Sequence, residues 1–127
     1  MKKIIKTQKA PAPIGPYNQA VLAGNTLYVS GQIALDPATG ELLTGSIEEE
    51  THLVMKNLEA VLAAAGADFS QVVKSTIFVK DMGQFAQINK VYGAYFDADT
   101  APARETVEVA NLPKYVNVEI SVIAVVE

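Results

Sequence analysis

Arg104 is the side chain of this sequence with the clearest capacity for binding chemistry. It follows Pro102 and Ala103 and begins the segment RETVEV, whose alternating pattern predicts a β-strand. A guanidinium stays charged in proteins, and its planar fork of donors fits a carboxylate or a phosphate. Strand alternation puts Thr106 on the same face as Arg104. A solvated strand end is the structural alternative, and position alone leaves both interpretations open.

Three further polar residues stand where a purely apolar pattern has no need of them. Glu119 lies within the apolar last strand, so it is either at a sheet edge or partly buried with a partner, because an unpaired buried charge is costly. Asn89 comes four residues after Phe85 on the apolar side of a helix, where it binds a ligand or caps a neighbouring loop. Tyr17 ends the motif IGPY in a proline-rich loop, and its ring either lines a site or packs over the sheet.

Several other chemistries are disfavoured. The sequence has no cysteine, which excludes disulfides, zinc-thiolate sites and thiol nucleophiles. His52 is the only histidine and falls on the polar side of a helix, so we expect a solvated ring and no metal site. Ser30 precedes Gly31 in VSGQI, but no base stands at a motif spacing for a serine nucleophile. No phosphate-binding or dinucleotide glycine pattern is present.

Composition predicts one globular domain over residues 1–127. Half of the residues are hydrophobic and 19% are charged, which is typical of a chain with a packed core. The net charge is −4 and the basic residues are scattered, so phosphate-driven nucleic-acid binding is disfavoured. Neither a signal peptide nor an apolar run of membrane-spanning length is present, so we expect a cytoplasmic protein without membrane contact.

The predicted elements run in the order strands, helix, strand, helix, strands. Ser46 and Glu49 form a predicted capping box, and the helix that follows ends at Gly66. Asp81 is the predicted cap of a second helix that runs over 82–96. The predicted strands are KKIIKT, QAVLAG, NTLYVSGQI, QVVKSTIFVK, RETVEV and VNVEISVIAVV, and APAPIGPYNQ is a loop between the first two. This order predicts an α+β fold with two helices on one face of a sheet.

The last strand is apolar on both faces. Its inward positions alternate regularly, yet Ile123 and Val125 make much of the opposite face apolar too. A strand of this kind in so small a domain suggests that its second face meets another subunit.

Five segments, in order along the chain, resemble the RidA/YjgF family of reactive-intermediate (enamine/imine) deaminases. They are APAPIGPYNQA, YVSGQIALDPATGEL, VLAAAGADFSQVVKSTIFVKDM, INKVYGAYF and PARETVEVANLPKYVNVEISVIAV. The last segment matches the family's signature, in which Pro-Ala-Arg is followed at a fixed interval by an apolar-Glu-Ile triplet, here 118–120. A collinear match of five segments is far more specific than any single motif described above.

The resemblance implies a chorismate-mutase-like α+β fold, with a mixed six-stranded sheet and two helices packed on one face. It also implies a homotrimer with three clefts at the subunit boundaries. The implied activity, which needs neither metal nor cofactor, hydrolyses 2-aminoacrylate/2-iminopropionate and 2-aminocrotonate/2-iminobutyrate to 2-keto acids and ammonia, a form of metabolite damage control.

The resemblance also assigns residues. Carried over by position, Arg104 binds the substrate carboxylate and Glu119 positions water. The substrate-binding set is completed by Tyr17, Asn89, Thr106 and the pair Ser30–Gly31.

Two positions depart from the family pattern. Thr106 stands where many relatives have cysteine, so a thiol-dependent activity does not transfer. Glu105 replaces a residue that is usually small, but strand alternation predicts that it points away from Arg104 and leaves the site intact. A non-catalytic carboxylate-binding or regulatory trimer is the alternative function, and it needs only the arginine. The presence of Glu119 favours an enzyme. An RNA-cleaving role fits poorly with a pI near 5.0 and one unpartnered histidine.

Overall fold

The computed structural model describes residues 2–127, which form one six-stranded sheet and two helices. The strands are β1 (Lys2–Ile5), β2 (Ala20–Ala23), β3 (Thr26–Gln32), β4 (Val72–Val79), β5 (Ala103–Glu108) and β6 (Val118–Val125). The helices are α1 (Ile47–Ala64) and α2 (Phe85–Gly93), with short 3-10 turns at Phe69–Gln71, Met82–Gln84 and Pro113–Tyr115. None of the helices within 2–127 is long and apolar enough to cross a bilayer.

The sheet is mixed and has the strand order β1-β2-β3-β6-β4-β5. Only β4 and β5 run parallel, and every other neighbouring pair is antiparallel. The last strand, β6, therefore lies between β3 and β4 in the interior of the sheet. The predicted mixed six-stranded sheet with two helices is confirmed, and the interpretation of Glu119 as an edge residue is wrong.

Helix α1 begins where its capping signal predicts. The Ser46 hydroxyl accepts a hydrogen bond from the Glu49 backbone N–H at 3.1 Å. The Glu49 carboxylate in turn accepts from the Ser46 hydroxyl at 3.2 Å, rather than from the backbone N–H of a complete capping box. Gly66 follows the helix with φ of +75°, a conformation that glycine adopts without a Cβ penalty.

Helix α2 is shorter than the predicted helix over 82–96. Asp81 does act as a cap, but its carboxylate accepts from the Gly83 N–H at 2.8 Å and begins a 3-10 turn. The helix ends at Gly93, and the aromatic rings beyond it turn inwards. The rings of Tyr95 and Phe96 each lie 5.3 Å from that of Phe69, so tertiary packing ends a helix that the apolar pattern alone would have continued.

The two faces of the sheet are covered to different extents. On the helix-covered face, side chains of β3, β4 and β6 pack with both helices in one core. Its fully buried members include Leu27, Ile77, Val118 and Ile120 from the sheet and Val54, Leu58 and Ile88 from the helices.

The opposite face, called the open face here, carries the alternate side chains of the same strands. A small cluster of Ile33, Leu35, Leu112 and Val116 covers one end of it and packs against Phe78. Elsewhere Tyr28 is 51% exposed and Ile123 is half-buried. This apolar surface is consistent with the prediction that β6 faces another subunit, which stays a prediction.

Candidate functional site

Arg104 projects from β5 onto the helix-covered face, at the side of α2. It pairs in register with Ser75 of β4, which is fully buried on that face. Its guanidinium donates from Nη1 to Asn89 Oδ1 at 2.6 Å. The Cζ atom lies 5.4 Å from the ring centroid of Phe85 and 5.2 Å from that of Tyr92, so two aromatic faces flank the cation.

The Arg104 charge has no carboxylate partner within residues 2–127. The two ion pairs there are Lys56–Glu59 and Lys74–Glu105, both at 3.4 Å. Glu105 therefore points to the other face of the sheet and pairs with Lys74, which confirms the prediction from strand alternation. Because Asn89 is a neutral amide that takes one of five N–H donors, most of the guanidinium fork is free for an anion.

An open cleft of about 470 Å³ lies beside this guanidinium, lined by Met82, Phe85, Arg104 and Thr106. Thr106 Oγ1 is buried, and no group in the described part of the chain forms a hydrogen bond with it. A buried hydroxyl without a partner costs free energy that a ligand or a second chain could recover. Glu108 accepts from the Met82 backbone N–H at 2.8 Å and so holds one wall of this cleft, which is called the arginine cleft here.

Glu119 projects from β6 onto the open face and lies directly over Gly31. A Cβ added at Gly31 would stand 2.7 Å from Glu119 Oε2, so only glycine leaves room for this carboxylate. The backbone of β3 also shifts register between Val29 and Gln32, which is how it passes beneath the glutamate. Burial raises the pKa of Glu119, and no hydrogen bond offsets that effect.

A second cleft, of about 400 Å³, opens around Glu119 and is called the glutamate cleft here. It is lined by Ile14, Tyr17, Ser30, Gly31, Ile33, Pro113 and Glu119. Ser30 donates its hydroxyl to the Asn18 carbonyl at 2.6 Å, so it supports the adjoining loop as well as lining the cleft. Tyr17 is 47% exposed and lines this cleft from the proline-rich loop.

Gln19 anchors that loop, and the sequence pattern does not single it out. Its buried side chain accepts from the Thr7 N–H at 2.7 Å and donates to the carbonyls of Thr7, Ala10 and Pro11. A polar residue at the start of a strand after a proline-rich loop is the only sequence signal for this role.

Glu50 is a second supporting residue that sequence reasoning missed. It is fully buried in the first turn of α1 and accepts from the backbone N–H of Asn117 at 2.7 Å and from its side-chain amide at 2.8 Å. These bonds hold the chain just before the strand that carries Glu119. In the sequence Glu50 is indistinguishable from the two glutamates before it, which are exposed.

Arg104 and Glu119 do not come together within one chain. In register, Phe78 pairs with both Val107 and Glu119, so these three share the open face, whereas Arg104 lies on the helix-covered face. The structure groups Arg104, Asn89 and Thr106 in one cleft, and Tyr17, Ser30, Gly31 and Glu119 in the other. Each cleft therefore holds only some of the predicted site residues, one with the arginine and the other with the glutamate.

Comparison with known proteins identifies the family. The sequence family described as Endoribonuclease L-PSP matches residues 7–126. The chain belongs to this family, the RidA/YjgF or Rid family. A RutC family protein of Synechocystis is 55% identical over 97% of this chain and 95% of its own length.

Two further Rid relatives carry information about ligands. The mouse protein named 2-iminobutanoate/2-iminopropanoate deaminase is 48% identical over 98% of this chain and 92% of its own length. The crystal structure of E. coli TdcF with bound serine covers 98% of this chain and 99% of the TdcF chain, with 43% identity and a TM-score of 0.92. A Rid fold can therefore carry a small amino acid.

Proposed function

We propose that this protein is a deaminase that hydrolyses small 2-imino acids and their enamine tautomers to 2-keto acids and ammonia. The observation that carries the proposal is the Arg104 guanidinium, which lies in an open cleft without a carboxylate partner in residues 2–127. The deaminase name of the mouse relative and the serine in TdcF support a small carboxylate as its ligand.

The complete site in this proposal needs two copies of the chain. The arginine cleft and the glutamate cleft lie on opposite faces of the sheet, so a neighbouring copy must bring its glutamate cleft to the arginine cleft of the first. Two different surfaces that meet form a head-to-tail contact, and such contacts form a ring when the rotation between successive copies closes. A homotrimer with one joined site at each boundary is the arrangement that we propose.

Arg104 would hold the substrate carboxylate with two parallel hydrogen bonds and fix the planar iminium group. Glu119 of the neighbouring copy would then orient a water molecule toward the iminium carbon. As the oxygen–carbon bond forms, Glu119 takes one proton from the water and the C=N electron pair moves to nitrogen.

The carboxyl group of Glu119 then assists the breakdown of the carbinolamine formed in this way. Glu119 returns its proton to nitrogen and accepts the hydroxyl proton as the C–N bond breaks. The keto acid remains, and ammonia leaves and takes up that proton as ammonium. Burial raises the pKa of Glu119, which makes its carboxylate a stronger base toward the attacking water.

The walls of the two clefts suit a small substrate with a short apolar side chain. Ile14, Tyr17 and Ile33 line the glutamate cleft, and Met82 and Phe85 line the arginine cleft. Apolar walls exclude bulk water and strengthen the ion pair between the guanidinium and the substrate.

The test is to couple a serine or threonine dehydratase to this protein and to time keto-acid release. Each charge-assisted hydrogen bond contributes about 1.5–3 kcal/mol, so loss of the two-bond fork in Arg104→Ala should lower kcat/KM by about 10²-fold or more. Arg104→Lys should recover only part of that loss, because it keeps the charge without the fork. Glu59→Gln, at the exposed Lys56–Glu59 pair, is a surface control.

Glu119→Gln separates turnover from binding. An enzyme should lose accelerated hydrolysis in this variant and keep its affinity for a simple 2-keto acid. Wild-type protein that binds keto acids but never accelerates hydrolysis would instead be a carboxylate-binding trimer. Arg104→Ala with full activity would remove the proposed site.

A further inference from the structure

We infer that Tyr92 is a positioning residue for Arg104, and that its buried ring, held in place by a hydrogen bond to Ser75, sets the direction of the carboxylate-binding fork. The inference rests on the proposed function, because it takes carboxylate binding as the role of Arg104. It adds a device behind that residue which Arg104 itself does not supply.

Three contacts form the device. Tyr92 donates its hydroxyl to Ser75 Oγ at 2.9 Å, and both side chains are buried. Ser75 is also the residue of β4 that pairs in register with Arg104 of β5. The Tyr92 ring therefore lies fixed between α2 and the sheet, with its centroid 5.2 Å from Arg104 Cζ.

The direction of the ring matters because an aromatic ring attracts a cation at its face and not at its edge. The hydrogen bond to Ser75 fixes the position of the phenol oxygen, and the ring of Phe96, whose centroid is 4.8 Å away, restricts the rotation that would turn the edge of Tyr92 to the guanidinium. Asn89 holds only Nη1, which leaves the guanidinium free to swing about that single contact. The aromatic faces of Tyr92 and Phe85 restrict this swing and leave the remaining donors directed into the cleft.

Burial raises the pKa of Tyr92, while the bond to Ser75 and the charge of Arg104 act in the opposite direction. The phenol therefore stays neutral at physiological pH and keeps its proton for Ser75. A neutral ring is the form whose face attracts the guanidinium without forming a competing ion pair.

Tyr95 offers a matched control on the same segment of chain. Its hydroxyl is 2.8 Å from His52 Nδ1 and its ring packs against Phe69, whereas the rings that flank Arg104 are those of Phe85 and Tyr92. Tyr95→Phe and Tyr92→Phe each remove one phenol hydroxyl. The ring of Tyr95 is partly buried and that of Tyr92 is buried, and only the Tyr92 ring lies against Arg104.

The experiment measures pyruvate binding by titration calorimetry in the intact oligomer of wild type, Tyr92→Phe, Tyr92→Leu and Tyr95→Phe. Removal of a cation–π contact predicts that Tyr92→Leu binds pyruvate about 3- to 30-fold more weakly. Tyr92→Phe keeps the ring and should lose about 2- to 5-fold, with a raised KM and an unchanged kcat, and Tyr95→Phe should bind as wild type does. Should the leucine variant fail to fold, the two phenylalanine variants decide.

Pyruvate affinity in folded Tyr92→Leu and Tyr92→Phe that matches wild type would overturn the inference, as would an equal loss in Tyr95→Phe. If pyruvate binding is weaker in the Tyr92 variants but the wild type shows no deaminase turnover, the proposed function is refuted and the positioning role remains. Turnover in wild type with no effect of the Tyr92 variants would refute the positioning role alone.

Discussion

Mixed oligomers of two inactive variants would show whether each site takes its arginine and its glutamate from different chains. Arg104→Ala keeps an intact glutamate cleft, and Glu119→Gln keeps an intact arginine cleft. Each variant alone should be inactive, because every joined site then lacks one partner. A mixed oligomer contains some sites in which an intact arginine cleft meets an intact glutamate cleft.

The expected recovery follows from the separation of the two clefts on opposite faces of the sheet. With equal amounts and random exchange, about half of the arginine clefts and about half of the glutamate clefts are intact, so about one quarter of the joined sites regain both residues. This fraction is the same for any ring in which each site joins two neighbouring chains. If both residues acted within one chain, no mixture could recover any activity.

The assay unfolds and refolds the two variants together and follows keto-acid release from a coupled dehydratase. A mass tag on one variant lets native mass spectrometry count the mixed oligomers in the same sample. Refolded wild type sets the full rate, and each variant refolded alone sets the background. Mixed oligomers that form in the expected amounts but stay at background would refute the composite site.

Three further predictions concern the glutamate cleft. Burial raises the pKa of Glu119, so the acid limb of the wild-type kcat profile should lie above the range of an ordinary glutamate, near 4.3, and the residual rate of Glu119→Gln should show no such limb. A raised folded-state pKa also means that the ionised carboxylate destabilises the fold as pH rises through that value, so Glu119→Gln should unfold at a higher temperature than wild type at neutral pH. Gly31→Ala would place a Cβ 2.7 Å from Glu119 Oε2 and should lower kcat by about 10²-fold with little change in melting temperature, because the flexible carboxylate is displaced and the fold is not. Gly93→Ala is its control, since an added Cβ there meets no atom within 4 Å.

Each of these predictions has an outcome that contradicts it. An acid limb that persists in Glu119→Gln would assign the titration to another group. Full turnover in Gly31→Ala, or an equal loss in Gly93→Ala, would show that the place of the carboxylate over Gly31 has no part in the reaction.

The elements of the fold were largely predictable from local patterns. Ser46 and Gly66 marked the two ends of α1, and the alternation of apolar residues marked the strands to within two residues. The pattern failed at both ends of α2: Asp81 caps a 3-10 turn at Gly83 before the helix begins, and Phe96 packs against Phe69, which is distant in sequence. The order of the strands in the sheet was beyond local patterns, and the resemblance to the family implied only that the sheet is mixed and six-stranded.

The candidate site was predictable in its members but not in its arrangement. Alternation along one strand placed Arg104 with Thr106 and turned Glu105 away, as the structure confirms for Glu105 by its pair with Lys74. The sequence contained no signal for the supporting role of Tyr92, because a tyrosine on the apolar face of a helix is predicted to be an ordinary core residue.

The sequence by itself determined which residues share a strand face or begin a helix, because those relations depend on neighbours a few positions apart. It determined that one guanidinium, Arg104, and one carboxylate within the apolar last strand, Glu119, were available for the chemistry. The tertiary structure decided that these two groups lie on opposite faces of the sheet, and that Gly31 makes room for the carboxylate. Those facts depend on which strands pair and in what register, and register is set by long-range packing across the whole sheet.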